Sequence, residues 1–237
     1  IGVKAAERTV GKLGAGKINS DEMPVVLEPR LAKGILGHFA AAVNGAAVAR
    51  GTSFLNDALH QKIFPENISV IEEPLRKRGL NSRSFDAEGL PTQKQAFVDN
   101  GVLTKWVLDL RSARQLNMKP TGNGARGLGG IPHPSLSNLT LYGGNGSPAD
   151  IIADIKKGVY ITNLFGQGVN LITGDYSRGA SGFLIENGKI TSPVHEITVA
   201  GNLKDMFKNL IAADDLEIKY AFNAPTLRFN KMSVAGK

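Results

Sequence analysis

Leu31, Ile35, Phe39 and Val43 repeat at intervals of four, and this apolar stripe predicts one long helix over residues 31–50. The same stretch carries Ala40, Ala41, Ala42, Gly45, Ala46 and Ala47, small side chains that let another element approach the backbone closely. Val3, Ala6, Val10 and Leu13 place an earlier helix over residues 1–15, and residues 52–63 suggest a shorter one. Between the first two helices, residues 23–27 form a short apolar strand, closed by Pro29.

After Phe64-Pro65 the apolar period shifts towards two. "ISVIEE" reads as a strand, and "QAFVDNGVLTKWVLDL" as a hairpin turning at Asn100-Gly101. Residues 120–148 are rich in Gly, Pro, Asn and Ser and predict a long loop. "SPADIIADIKKG" restarts a helix, with Ser147 as N-cap, Pro148 in the first position and Gly158 closing it. Strands follow at "VYITNLF", at "SGFLIENGKI" with its turn at Asn187-Gly188, and at "HEITVAG". "NLKDMFKNLIAA" is a further helix, and "LEIKYAF" and "APTLRF" are closing strands. This succession predicts an α+β domain: a largely antiparallel β-sheet, curled towards a barrel, with a few packed helices. No linker marks a boundary near residue 64, so residues 1–237 read as a single domain.

Composition narrows the function classes. Apolar residues make up 42% and charged residues 21%, the globular range. No apolar run approaches the roughly 20 residues of a membrane-spanning helix, and the start lacks a secretory signal's apolar stretch. The chain begins without methionine inside an amphipathic pattern, as a fragment does. With no cysteine, disulfides, thiolate metal ligands and a cysteine nucleophile are excluded, and the expected location is cytoplasmic. The net charge of +7 suggests nucleic acid, but only Arg76-Lys77-Arg78 forms a tight basic cluster. Aromatics, at 6%, do not alternate with basic residues as a stacking platform requires, so a solvated basic surface is the favoured reading.

Candidate chemistry is sparse. "GNGARG" at residues 122–127 matches a dinucleotide fingerprint only in letters, lacking a preceding strand and a following helix. Ser181 in "GASG" lacks the surroundings of a nucleophile elbow. Asp86 and Glu88 would share one strand face, and Asp175 lies in "TGDYSRGASG"; each is open to an acid–base or a turn-forming reading. His60 follows Asp57 by three, His133 lies between prolines, and His195 precedes Glu196, so a zinc site would have to be assembled from distant histidines. His38 in "GHFAAAVNG" is followed by Phe39, and neither Ala42 nor Val43 can ligate, so spacing alone favours a core or interface histidine.

"LGHFAAAVNGAAVARGTSFLND", "FDAEG", "GDYSRGASGFLIENGKI", "PVHEITVAGNLKDMF" and "NAPTLR", in this order, resemble the TldE (PmbA) branch of the TldD/PmbA family. The resemblance runs from about residue 1 to the C-terminus and implies a C-terminal domain, with the family's N-terminal domain outside these residues. Members are described as candidate modulators of DNA gyrase and as components of a heterodimeric zinc metalloprotease acting on unfolded or extended peptides. The TldD subunit carries H-E-x-x-x-H and a cysteine ligand. By that pattern His38 stands at the first histidine, Phe39 replaces the glutamate and Val43 the second histidine, while the cysteine has no counterpart. The resemblance therefore implies a non-catalytic subunit with no cofactor of its own and degenerate zinc-motif positions at His38, Phe39 and Val43. The expected zinc lies in a TldD-like partner, with an extended peptide as substrate and homodimerisation possible in isolation. The alternative is a DNA- or gyrase-binding regulator without a protease role; a third reading, an independent hydrolase, would use Asp86, Glu88 or Asp175.

Overall fold

The computed structural model describes residues 2–237. In chain order its first elements are α1 (Gly2–Val10), β1 (Asp21–Leu27), α2 (Pro29–Ala42) and α3 (Gly45–Ala49). A mixed segment follows, with β2 (Ser69–Glu72), β3 (Gln95–Asp99), β4 (Val102–Leu103) and α4 (Leu110–Gln115). Next come β5 (Gly124–Ala125), β6 (His133–Pro134), β7 (Leu139–Tyr142) and a 3-10 turn at Asp150–Ile152. The last third holds β8 (Lys157–Phe165), β9 (Asp175–Glu186), β10 (Lys189–Asn202), α5 (Leu203–Lys208), β11 (Leu210–Ala212), β12 (Phe222–Asn223) and β13 (Leu227–Ala235).

β1, β8, β9, β10 and β13 close into a ring, because β1 pairs antiparallel with β13 and parallel with β8. The expected curl towards a barrel is thus complete, and β11 adds to β13 outside the ring. The two-residue period sorts β1 across its faces: Val25 and Leu27 enter the main core, whereas Val26 packs on Ile152, Ile155 and Ile185 in a second cluster. A second sheet runs in the order β12-β7-β2-β3-β4. α2 packs against β1 and β8 of the ring and against β7 and β12 of this second sheet.

Beneath α2 lies an aromatic cluster. The Phe39 ring meets Phe64 and Phe207 edge-on at centroid distances of 5.8 and 6.3 Å, and Phe64 stacks on Phe207 at 4.8 Å. Phe54 tilts against Phe207 at 5.9 Å. These rings are almost entirely removed from water.

The apolar stripe of residues 31–50 is real, but the helix breaks after Ala42. Val107 takes over the backbone there: its N–H donates to the Val43 carbonyl, and its carbonyl accepts from Gly45 N–H at 2.8 Å. A Cβ at position 45 would lie 2.4 Å from Leu108, which is why glycine occupies this crossing. Asn44 then caps α3, its Oδ1 accepting from Ala46 N–H.

Residues 52–63 form turns instead of a helix, since Phe54 and His60 donate their N–H groups to the distant carbonyls of Leu171 and Leu103. In residues 147–158 only the 3-10 turn forms, although Ser147 Oγ does accept from Asp150 N–H. Arg228 holds this turn from β13 through Asp154 and the Ile151 carbonyl, and Gly158 sits in β8, not at a helix end. The long loop contains the β5–β6 ladder and β7. "HEITVAG" belongs to the same strand as Lys189, with register shifts on both sides of Pro193-Val194. The helix of residues 202–213 ends at Lys208, because Leu210–Ala212 pair with β13. "LEIKYAF" contributes only its last residue, Phe222, to a strand, β12. Both tight turns stand: Asn100-Gly101 and Asn187-Gly188 have the positive φ angles that Asn-Gly hairpins require.

Phe64 links α2 to α5 through two ring contacts, so Phe64→Ala is expected to lower stability by about 3–5 kcal/mol, read as the shift of the urea midpoint.

Candidate functional site

α2 divides its side chains by face. Ala32, Ile35, Leu36, Phe39 and Ala42 are buried, while Gly34 is exposed and Gly37, His38 and Ala41 are partly open. His38 is therefore neither a core residue nor free in solvent. Its ring meets the buried Tyr176 of β9 edge-on at 5.8 Å. Burial, and secondarily the charge of Arg178, hold its pKa below the ordinary 6.5. Tyr176 is pushed up to about 12 by its own burial, so it stays a neutral phenol beside the imidazole. At the helix start, the Lys33 ammonium lies 3.4 Å over the centre of the Tyr220 ring, tying α2 to the segment before β12.

Positions 38, 39 and 43 do not converge. Phe39 and Val43 are both at 0% exposure in the main core. A five-residue step turns a helix by roughly 140° from its starting direction, so 38 and 43 face different ways. Val43 is moreover the residue at which α2 has already ended. One half-buried imidazole with no second ligand does not fit zinc, which takes three or four protein donors. Among the described residues, no group of three or more His, Cys, Asp or Glu side chains could hold a metal ion.

The other candidates hold structure together. Asp86 and Glu88 lie on a turn, not on one strand face. Asp86 Oδ1 accepts from the N–H groups of Glu88 and Leu90, both at 2.9 Å, and its Oδ2 accepts from Gly124 at 2.8 Å. Glu88 Oε2 accepts from Leu110 N–H at 2.7 Å, placing a carboxylate at the start of α4. Asp175 accepts from Thr173 Oγ1 and Asn202 Nδ2, and these bonds lower its pKa. His60 lies in a turn with positive φ, without a helical pairing to Asp57, and His133 lies in β6. His195 Nδ1 is 3.5 Å from Glu196, whose other oxygen meets Lys17 at 2.8 Å. Residues 122–127 include β5 and lead into no helix, and Ser181 sits within β9 opposite Asn163. Arg76 is committed to Glu73 at 2.5 Å, leaving Lys77 and Arg78 as the exposed members of the basic run.

Residues 20–236 match the family described as PmbA/TldA metallopeptidase C-terminal domain. A Haemophilus influenzae protein named metalloprotease PmbA homolog is 40% identical over the whole chain, and metalloprotease PmbA of Escherichia coli O157:H7 is 38% identical. The chain spans about half the length of these curated relatives, 51% of each. A crystal structure of a candidate modulator of DNA gyrase from Bacteroides thetaiotaomicron superposes with a TM-score of 0.88 at 33% identity, covering 100% of this chain and 52% of that one. TldE from Thermococcus kodakarensis, at 23% identity, shares the fold with a TM-score of 0.87 over 99% of this chain and 55% of its own.

Two outcomes follow from the division of faces. Phe39→Glu with Val43→His would write the letters of a zinc helix into a buried face; the double variant is expected to lose its folded state, at a cost of about 3–5 kcal/mol or more, and to bind no zinc. Circular dichroism and metal analysis check this, and a folded variant with one zinc per chain would contradict it. Because the folded-state pKa of His38 is depressed, the unfolded chain binds the extra proton, so stability rises with pH across the window below 6.5 and falls as pH drops through it. Urea midpoints at about pH 5 and pH 7.5 should therefore differ more for the parent chain than for His38→Asn.

Proposed function

The chain belongs to the PmbA/TldD metallopeptidase family, and on that premise we propose that it is the non-catalytic, TldE-like side of a two-chain metallopeptidase. Its partner in this reading is a TldD-like chain that supplies the zinc centre, and the substrate is an extended or unfolded peptide. The observation that carries the reading is the state of α2: Phe39 and Val43 are core residues, so the helix spends on packing the positions that the catalytic branch uses for metal and base. Beyond the first turn the face left open carries Gly34, Gly37, His38 and Ala41, with the exposed Arg30 on the same side at the helix start. A flat, small-residue helix face admits another backbone at short range, which suits a partner chain or an extended peptide.

The gyrase-regulator alternative draws support from the name of the Bacteroides relative and from the charge of +7. Pairing of Arg76 with Glu73 reduces the one tight basic cluster, which favours the peptidase reading.

The test is reconstitution. The purified chain alone should neither retain zinc nor cleave an unfolded protein such as casein. Mixed with a TldD-like metallopeptidase, it should co-elute in size-exclusion chromatography, and cleavage should appear or rise at least about tenfold. Stoichiometric zinc with cleavage by the chain alone would overturn the reading. Tight duplex-DNA binding that weakens steeply with salt, without any effect on cleavage, would favour the regulator.

A further inference from the structure

A cleft of about 250 Å³ lies between the turns of residues 54–63 and α5. Phe54 and Phe207 close its floor, and the half-buried Ala58 and Ile63 give its wall an apolar lining. Its rim is cationic. Lys204 and Lys208 stand four residues apart on α5, hence on one side of that helix, and Lys62 faces them from the turn. Among the described residues, neither Lys204 nor Lys208 has an ion-pair partner. Lys62 reaches only the exposed Glu66, at 3.4 Å, a contact that solvent screens. Asp57 is the sole carboxylate on the lining.

Three ammonium groups around an apolar floor repel one another and leave the cleft with uncompensated positive charge. We propose that the cleft binds a small apolar monocarboxylate, with its hydrocarbon body on Ala58, Ile63 and the aromatic floor and its carboxylate among Lys62, Lys204 and Lys208. The volume falls just under the roughly 300–1,000 Å³ of drug-sized sites, so the occupant is one ring or a short alkyl chain. A bare inorganic anion would leave the apolar floor unused, and a neutral apolar molecule would leave the lysines uncompensated. A free acid and the C-terminal carboxylate of a peptide ending in an apolar residue offer the same chemistry. The floor has a second role: Phe207 touches both Phe64 and Phe39, so the occupant rests on the cluster that supports α2. This assignment stands independently of the peptidase reading.

Phenylacetate titrated into the whole chain, followed by calorimetry or amide NMR shifts, should saturate with a Kd on the order of 1 mM, as its size allows. Phenylacetamide, which keeps the ring and loses the charge, and acetate, which keeps the charge and loses the ring, should each bind at least about tenfold more weakly. Lys204→Ala with Lys208→Ala should weaken phenylacetate about tenfold or more while leaving thermal unfolding unchanged, since both lysines are exposed. Ala58→Trp should fill the cleft and abolish binding with the charges intact. A short peptide with a free C-terminal phenylalanine, compared with its amide, identifies the source: markedly tighter binding of the free peptide than of phenylacetate points to a peptide terminus, and equal or weaker binding to a free acid. Equal binding of phenylacetate and phenylacetamide, an absence of saturation by phenylacetate at tens of millimolar, or undiminished binding by Ala58→Trp would each overturn the assignment.

Discussion

Everything about α2 depends on the burial of one ring. Phe39 has no exposure, and it meets Phe64 and Phe207 beneath the helix, where the ring of strands and the second sheet come together. Helical geometry does the rest: once Phe39 points inward, Gly34, Gly37, His38 and Ala41 lie towards the open side. The same packing makes position 39 intolerant of charge, because a carboxylate there would replace ring contacts with an unpaired, desolvated group. In this chain the inward face of the helix is taken up by aromatic packing.

Local rules were enough for much of this fold. The stripe through Ile35, Phe39 and Val43 marked the core face of α2, and the Asn-Gly pairs marked two hairpins, because each depends only on nearby residues. Failures occurred where distant backbone intervened. Val107 ends α2, Leu171 and Leu103 claim the N–H groups that a helix over residues 52–63 would have needed, and β13 recruits Leu210–Ala212 into a strand. At the site, spacing showed that His38 lacks a second ligand nearby, but not that Tyr176 packs against its ring from β9. The lysine-rimmed cleft was illegible for a plain reason: its two halves, residues 54–63 and 204–208, are far apart in the chain.

Carboxylates illustrate how a residue's surroundings remove it from chemistry. Glu72, at 1% exposure, has no ion-pair partner among the described residues; it accepts from Gln95 Nε2, Asn123 Nδ2 and both the N–H and hydroxyl of Ser137. Asp86, also buried, spends both oxygens on backbone N–H groups. Together they pin the segment from residue 84 to residue 137, which holds little regular structure of its own beyond short strands and α4. Neutral donors suffice for this, because several charge-assisted hydrogen bonds offset the desolvation of one anion.

Closure of the ring has a further effect on how this chain can meet extended polypeptides. Pairing of the first and last strands covers their edges, but β13 pairs with β10 over only Thr198–Ala200, so the side of β10 facing away from β9 carries, over Lys189–Ile197, just the isolated bridge of Val194 to Gly16. The other edges are short: β4 and β12, at the ends of the second sheet, are two residues each, and β11 is three. A guest on those short edges can form only a few ladder hydrogen bonds, whereas the outer side of β10 offers a longer row. Selectivity for a guest on the short edges then has to come from side-chain contacts.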